Sequence, residues 1–293
     1  MKELVKKLRK YEIRIRKAIT TQMQGDFHSV FKGTGLEFDD VRSYQYGDDV
    51  RSIDWNVSAK GHGTFVKTYR EEKEQSVFLM LDVSASQRIG TGLQQKLDVG
   101  KEICGVLALS AARQQSQIGI ICISDRKEKY LKPAKGIQQA YSIIKAVSEL
   151  EPKSAKTDLA AGIKLTLDII RRRSIILLLS DFIDINYEKE LSMLARRHDL
   201  IVLHLRDIRE QQLPPMGIVP ILDKETGRTV WLNTSGEEFQ KRYLAQYQEN
   251  QEQLMRLCQK YQANYLAIDT NEDYVPQLVN LFRLRNKSTK KSA

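Results

Sequence analysis

Val77-Phe78-Leu79-Met80-Leu81-Asp82-Val83-Ser84-Ala85-Ser86 is the stretch on which the architecture turns. Five consecutive apolar residues end on an aspartate and give way to a small polar loop. That is the pattern of a strand buried on both faces, delivering Asp82, Ser84 and Ser86 at its carboxyl end. A helical pattern follows from about Leu93 to Gln115, with Leu97, Ile103, Val106, Leu107 and Ala111 able to face a core. A second apolar run, Ile118 to Ile123, comes next. Strand, long helix, strand is the rhythm of a parallel sheet covered by helices.

The same rhythm continues outward. A polar turn, Ser124 to Lys127, leads to Tyr130-Leu131 and Pro133, a brief edge strand reached by a hairpin. Ala140, Ile143, Ile144, Val147 and Leu150 mark an amphipathic helix that Pro152 closes. Thr157-Asp158 caps a further helix ending near Arg171 to Arg173. Ile175 to Leu179 is a wholly apolar run ending in Ser180-Asp181, a central strand. Then come a helix (Tyr187 to Arg197), a strand (Leu200 to Leu205) and a two-strand insertion over 217–232. A long polar helix (about Ser235 to Gln262), the strand Tyr265 to Ile268 and a closing helix with Pro276 in its first turn complete the pattern. The expectation is a doubly wound, mostly parallel α/β sheet over residues 76–286, preceded by an accessory segment (1–75) and followed by a basic tail (287–293).

The 293 residues, 41% hydrophobic and 29% charged, suit a buried core and exclude disorder or a fibre. The longest aliphatic stretch, Ile175 to Leu179, is too short to cross a bilayer. The first twenty residues lack an apolar core, so no secretory signal is visible. Cys104, Cys122 and Cys258 lie in apolar contexts without CxxC spacing, which argues against a thiolate zinc site and suits a reducing, cytoplasmic setting. The net charge of +10 is concentrated at the ends: +6 in residues 1–20 and +5 in residues 281–293, leaving −1 between them. Such ends attract any polyanion in a salt-sensitive way, and no RNP, zinc-finger or KH signature points to specific nucleic-acid recognition.

The common catalytic motifs HExxH, GxSxG, GxxxxGK[ST] and GxGxxG are absent. His28, His62, His198 and His204 have no cysteine or second histidine at metal-ligand spacing, and His198 and His204 read as structural. Topology supplies the candidate site. If the strand ending at Asp82 is central, strand order reverses between it and the strand ending at Asp181, and ligands gather at such a crevice. Asp82, Ser84, Ser86, Thr157 and Asp181 then offer two carboxylates and three hydroxyls. These hard oxygen donors suit weakly bound Mg²⁺ or Mn²⁺ that keeps some of its waters. The alternative is that Ser84 and Ser86 cap a turn while the aspartates accept backbone amides.

Those five residues resemble the metal-ion-dependent adhesion site of von Willebrand factor A domains. In that family the Ser and Thr hydroxyls ligate the ion and the aspartates act directly or through water. A second stretch, Gly33-Thr34-Gly35-Leu36-Glu37-Phe38, Arg42-Ser43-Tyr44, Gly47-Asp48-Asp49-Val50-Arg51-Ser52-Ile53-Asp54-Trp55 and Ser58-Ala59, is similar to the hallmark of domain-of-unknown-function family 58. That bacterial and archaeal family carries this element just ahead of an A-type domain. The two matches span most of residues 25–270. Gln87 stands where many relatives have Met, and Asp184 replaces a glycine turn. Within the hallmark, Asp48 and Asp49 can face Arg42 or Arg51, and Trp55 offers a large apolar anchor; the reading is a layer held by buried ion pairs, with a docking surface as the alternative.

The resemblance implies a non-enzymatic interaction module in which an ion bridges to a partner's carboxylate. Relatives often occur beside MoxR-type AAA+ ATPases, which implies assembly or chaperone-like work with such an ATPase or its client. The competing reading is a phosphatase-like, metal-dependent hydrolase with Asp82 as nucleophile. It is weakened because Ser84 occupies the position where such an enzyme needs a second carboxylate as general acid.

Overall fold

The computed structural model describes residues 36–61, 63–71, 76–88, 95–184, 186–211, 215–222 and 229–291. The chain divides into two compact units, the smaller within residues 32–75 and the larger taking in everything from Ser76 on. The basic segment 1–20, Gly33 to Gly35, His28 and His62 lie outside the described residues.

In the smaller unit, β1 (Leu36–Ser43) pairs antiparallel with β2 (Phe65–Glu71), with an irregularity between Phe38 and Asp40. A short helix, α1 (Trp55–Ser58), lies between them. The acids of the hallmark stretch organise this turn. Arg42 grips Asp48 through two bonds of 2.7 Å, and Asp48 also accepts from the Gln45 amide at 2.8 Å. Asp49 accepts from the Arg51 amide, and Asp54 caps α1 at Asn56 and Val57. Gly47, at φ +106°, takes a backbone conformation that a side chain would strain. Two expectations are corrected here. The Arg42–Asp48 pair is solvent-accessible rather than buried, and Trp55 is 68% exposed rather than a packed anchor. Asp49 spends its carboxylate on a backbone amide instead of a cation, because a short turn leaves that amide without another acceptor.

In the larger unit, six strands form one sheet in the order β10-β7-β6-β3-β4-β5, made of β3 (Val77–Asp82), β4 (Ile118–Ile123), β5 (Lys127–Ala134), β6 (Ile175–Ser180), β7 (Asp199–Arg206) and β10 (Asn264–Asp269). All pairings are parallel except β4 with β5. Every residue of β3, β4 and β6 is buried, as wholly apolar runs demand. Alternate residues feed two cores. Leu79, Ile120, Leu177 and Leu203 meet α2 (Lys96–Arg113), α3 (Ile137–Ser148) and the closing helix, while Met80, Ile121, Leu178 and Val202 meet the helices of the other face. Those helices are α4 (Leu159–Ile169), α5 (Glu188–Arg197) and α7 (Glu237–Lys260). A four-residue helix, α6 (Ile208–Gln211), follows β7.

The antiparallel edge strand β5 is longer than the brief strand expected, and its exposed Lys127, Lys129 and Lys132 discourage further pairing. Gly119 is required where β4 meets it: a Cβ there would stand 2.8 Å from the Leu131 carbonyl and 3.0 Å from the Pro133 nitrogen. The insertion forms a hairpin, β8 (Ile218–Leu222) with β9 (Thr229–Asn233). The closing helix α8 (Tyr274–Lys291) has Pro276 in its first turn and runs five residues into the segment read as a tail. Arg285, held to Asp199 by two bonds, anchors it six residues before its end, and lysines suit a helix C-terminus. Among the described residues no helix is long and apolar enough to cross a membrane.

Candidate metal centre

Strand order reverses between β3 and β6, so the loops after Asp82 and Ser180 meet at one crevice. The β3 loop folds back on its own aspartate. The Ser84 amide donates to Asp82 Oδ1 at 2.9 Å, and Ala85 to Arg88 form a 3₁₀ turn. From across the reversal, Ser180 Oγ donates to Asp82 Oδ2 at 2.7 Å; Gln87 Nε2 reaches the same oxygen at 3.3 Å. The third loop is tied in at both ends. Ala85 N donates to the Ala155 carbonyl at 3.0 Å, and Leu159 N donates to Asp184 Oδ2 at 2.7 Å. Between those ties lie half-buried Thr157 and exposed Asp158, whose side chain caps α4 at Ala161. The two departures from the family pattern, Gln87 and Asp184, are therefore both structural parts of this crevice.

Ser84 and Ser86 place their hydroxyl oxygens 3.0 Å apart. Adjacent ligands on an octahedral ion with bonds of about 2.1 Å stand about 3.0 Å from each other, so the pair has the spacing of two neighbouring ligands. The described residues hold no group of three or more His, Cys, Asp or Glu side chains at metal-binding spacing. A site here must rest on hydroxyls, with Asp82 and Asp181 supplying charge. The donor set fits a small hard cation: Ser84, Ser86 and Thr157 would hold it, with Asp82 and Asp181 behind them.

One resident of the crevice was not legible in its motifs. Lys96, at the start of α2 and wholly buried, donates from Nζ to Asp181 Oδ2 at 2.6 Å and to Glu210 of α6. Burial works against its charge, but the carboxylates of Asp181 and Glu210 more than offset that and hold it as an ammonium ion. A faint signal existed: Lys96 lies four residues before Gly100 and seven before Ile103, on the stripe that faces the sheet. Glu210 sits in a four-residue helix with no periodicity to expose it. His204 is neutral, lowered to about 4 chiefly by burial, with Nδ1 2.8 Å from the Tyr265 hydroxyl; His198 is lowered likewise. Both are structural, as expected.

Burial pushes Asp82 up to about 6, with the nearby Asp181 charge adding to it, and pushes Glu210 up to about 7 despite Lys96. An acid whose pKa rises on folding binds more protons folded than unfolded between the two values. Stability is thus greatest below the unfolded pKa and falls as pH rises through the folded one. For Asp82 that window runs from 3.8 to about 6, and the penalty is complete at neutral pH. His198 and His204, held neutral, gain stability over the same range, so the acid is read by difference: without divalent ions, Asp82→Asn should stabilise the protein against urea more at pH 7.5 than at pH 5. Added Mg²⁺ should restore stability mainly at the higher pH, where the carboxylate is bare.

A doubly wound sheet with an antiparallel edge strand and a DxSxS loop at the reversal defines a von Willebrand factor A-like domain. The model of the family described as "Protein of unknown function DUF58" matches residues 40–253, more than two thirds of the chain, and this protein belongs to that family. It is similar to the uncharacterized protein Rv1480 of Mycobacterium tuberculosis, 25% identical over 290 residues, covering 97% of this chain and 90% of that one. An uncharacterized protein of Mycobacterium avium is 27% identical over 146 residues, covering 48% of this chain and 84% of its own. Similar solved structures include the conserved hypothetical protein BatB from Bacteroides thetaiotaomicron: TM-score 0.45, 13% identity, covering 73% of this chain and 99% of that one. The SpRpn10 VWA domain aligns with a TM-score of 0.39 at 12% identity, over 70% of this chain and 94% of its own.

Proposed function

We propose that this protein is a non-enzymatic, cytoplasmic interaction module. Ser84, Ser86 and Thr157 hold Mg²⁺ or Mn²⁺ weakly, and the site captures a carboxylate from a protein partner, a MoxR-type AAA+ ATPase or its client. The observation that carries the reading is the Ser84–Ser86 hydroxyl pair, 3.0 Å apart at the strand-order reversal, backed by two acids. A bound divalent ion supplies an electrophile with an open position. The chain's part is to present neutral hydroxyls to it and to keep both carboxylates restrained. Asp82 is fixed by Ser84, Ser180 and Gln87; Asp181 is fixed by Lys96. Because neither acid is free to crowd the ion, its charge stays undercompensated and favours a third carboxylate from outside.

The hydrolase reading gains nothing from the geometry. Ser84 cannot act as a general acid at neutral pH. The lysine that reaches Asp181 is wholly buried and already shared between two carboxylates, so its charge is spent on them and not on a phosphate. Calorimetry with Mg²⁺ tests the proposal. Weak binding should appear in the native protein and disappear in Asp82→Ala and Ser86→Ala. Equal binding by all three proteins would put the ion elsewhere.

A further inference from the structure

The loop that carries Thr157 has no regular structure of its own: neither helix nor strand covers residues 149–158, between α3 and α4. Its place must come from whatever partners its backbone groups find. A glutamate on the edge strand β5 supplies the first of them. Glu128 Oε2 accepts from Lys153 N at 2.9 Å, and Oε1 accepts from Ser154 N at 3.2 Å and from Ser124 Oγ at 2.7 Å. The next two residues are tied through their carbonyls. Ala155 O accepts from Ala85 N at 3.0 Å, inside the loop of Ser84 and Ser86, and Lys156 O accepts from Asp125 N at 3.1 Å. Thr157 comes next. Each of the four residues leading to it is thus fixed, and Glu128 holds two of the four.

The sheet is irregular where Glu128 stands. Cys122 of β4 pairs with Lys129, and the following residue, Ile123, pairs with Lys127, so Glu128 is left without a partner across the ladder. A bulge of this kind bends its strand and re-aims the extra side chain, and sheets place such bulges next to functional sites. Here the re-aimed carboxylate meets two loop amides. Lys127 and Lys129 on either side are exposed, whereas Glu128 is half-buried. A glutamate that served only to keep an edge strand soluble would reach for water as they do.

Resting on the ion reading above, we propose that Glu128 is a positioning residue of the metal centre: by fixing the Thr157 loop against the Ser84–Ser86 loop, it makes the site select Mg²⁺ over Ca²⁺. It touches no ion and acts through the loop backbone. Mg²⁺ demands near-ideal octahedral geometry at about 2.0–2.1 Å, while Ca²⁺ accepts flexible arrangements of oxygens at about 2.3–2.6 Å. A third hydroxyl held in one place therefore favours the smaller ion. Loosening it costs Mg²⁺ more than Ca²⁺. Asp184 still grips the far side of the loop at Leu159 N, so the fold does not depend on Glu128 alone.

The test compares the native protein, Glu128→Ala and Glu128→Gln by calorimetric titration with Mg²⁺ and, separately, with Ca²⁺, and by amide hydrogen exchange in EDTA. In EDTA the amides of residues 153–157 should exchange roughly tenfold faster in Glu128→Ala, the value of a hydrogen bond to a charged group, while those of β3 and β6 keep their native rates. The native preference for Mg²⁺ over Ca²⁺ should shrink by a similar factor. Glu128→Gln keeps one acceptor oxygen and should fall between the two, and it carries the same comparison if Glu128→Ala does not fold. A ratio of Mg²⁺ to Ca²⁺ affinity that stays native in the variants overturns the proposal, even where both ions bind more weakly, because a merely structural role weakens both alike. A native protein that binds both ions equally also overturns it and leaves the metal centre standing. A native protein that binds neither ion defeats the metal-centre reading itself, and the selectivity with it.

Discussion

Replacing Lys96 with methionine should destabilise the protein by about 3–5 kcal/mol at neutral pH, the range found when one partner of a buried ion pair is removed. Lys96 is wholly buried, and the two carboxylates it serves, Asp181 and Glu210, are almost wholly buried too. Methionine fills the same volume but leaves those acids facing each other with no cation between them. The cost falls on the uncompensated charges and not on packing. Adding Asp181→Asn and Glu210→Gln to the variant should therefore recover much of the loss, because the triple variant buries no unpaired charge. Urea denaturation of the single and triple variants measures both effects. A single variant as stable as the native protein would mean that Lys96 does not bridge these acids.

The second large effect concerns association. A contact between a bound ion and a partner's carboxylate is desolvated when the complex forms, so its loss should weaken binding on the order of a hundredfold. EDTA should release a MoxR-type ATPase from this protein by that factor. Ser86→Ala should do the same without lowering the unfolding midpoint measured in EDTA, since Ser86 bonds only to Ser84 among the contacts described around the centre. Thr157→Ala should weaken the complex to a smaller degree. Surface plasmon resonance in Mg²⁺ and in EDTA reads all three, and a complex indifferent to EDTA would refute carboxylate capture.

Much of the fold was legible because its central strands are made of nothing but apolar residues. Val77–Leu81, Ile118–Ile123 and Ile175–Leu179 have no exposed face to satisfy, so each is committed to the middle of a parallel sheet. The reversal followed from chain order, which put the Asp82 and Asp181 loops side by side. Long-range pairing was not legible. Lys96 contacts residues 85 and 114 positions away, and only its place on a sheet-facing stripe hinted at burial. The exposure of Trp55 was missed for the opposite reason: an aromatic residue in a polar turn reads as an anchor unless its neighbours are seen. The helical character of residues 287–291 was hidden by their lysines, which mimic a tail in composition while suiting a helix C-terminus.

The candidate site divides along the same line. Asp82, Ser84 and Ser86 are local in sequence, and their arrangement is set by one turn. Ser180, Gln87 and Asp184 were each visible in sequence but carried no assigned part in the crevice. Their work is done through bonds to Asp82 or to the α4 amide, and those partners are fixed only once the sheet is assembled.

Crystals equilibrated with Mn²⁺ at a concentration that calorimetry shows to be saturating, with data collected at the manganese edge, give the most direct test of the central claim. A strong anomalous peak within coordinating distance of both Ser84 Oγ and Ser86 Oγ, absent from Ser86→Ala crystals treated identically, is the predicted result. A peak elsewhere on the chain, or no peak between those two hydroxyls at saturation, would contradict it.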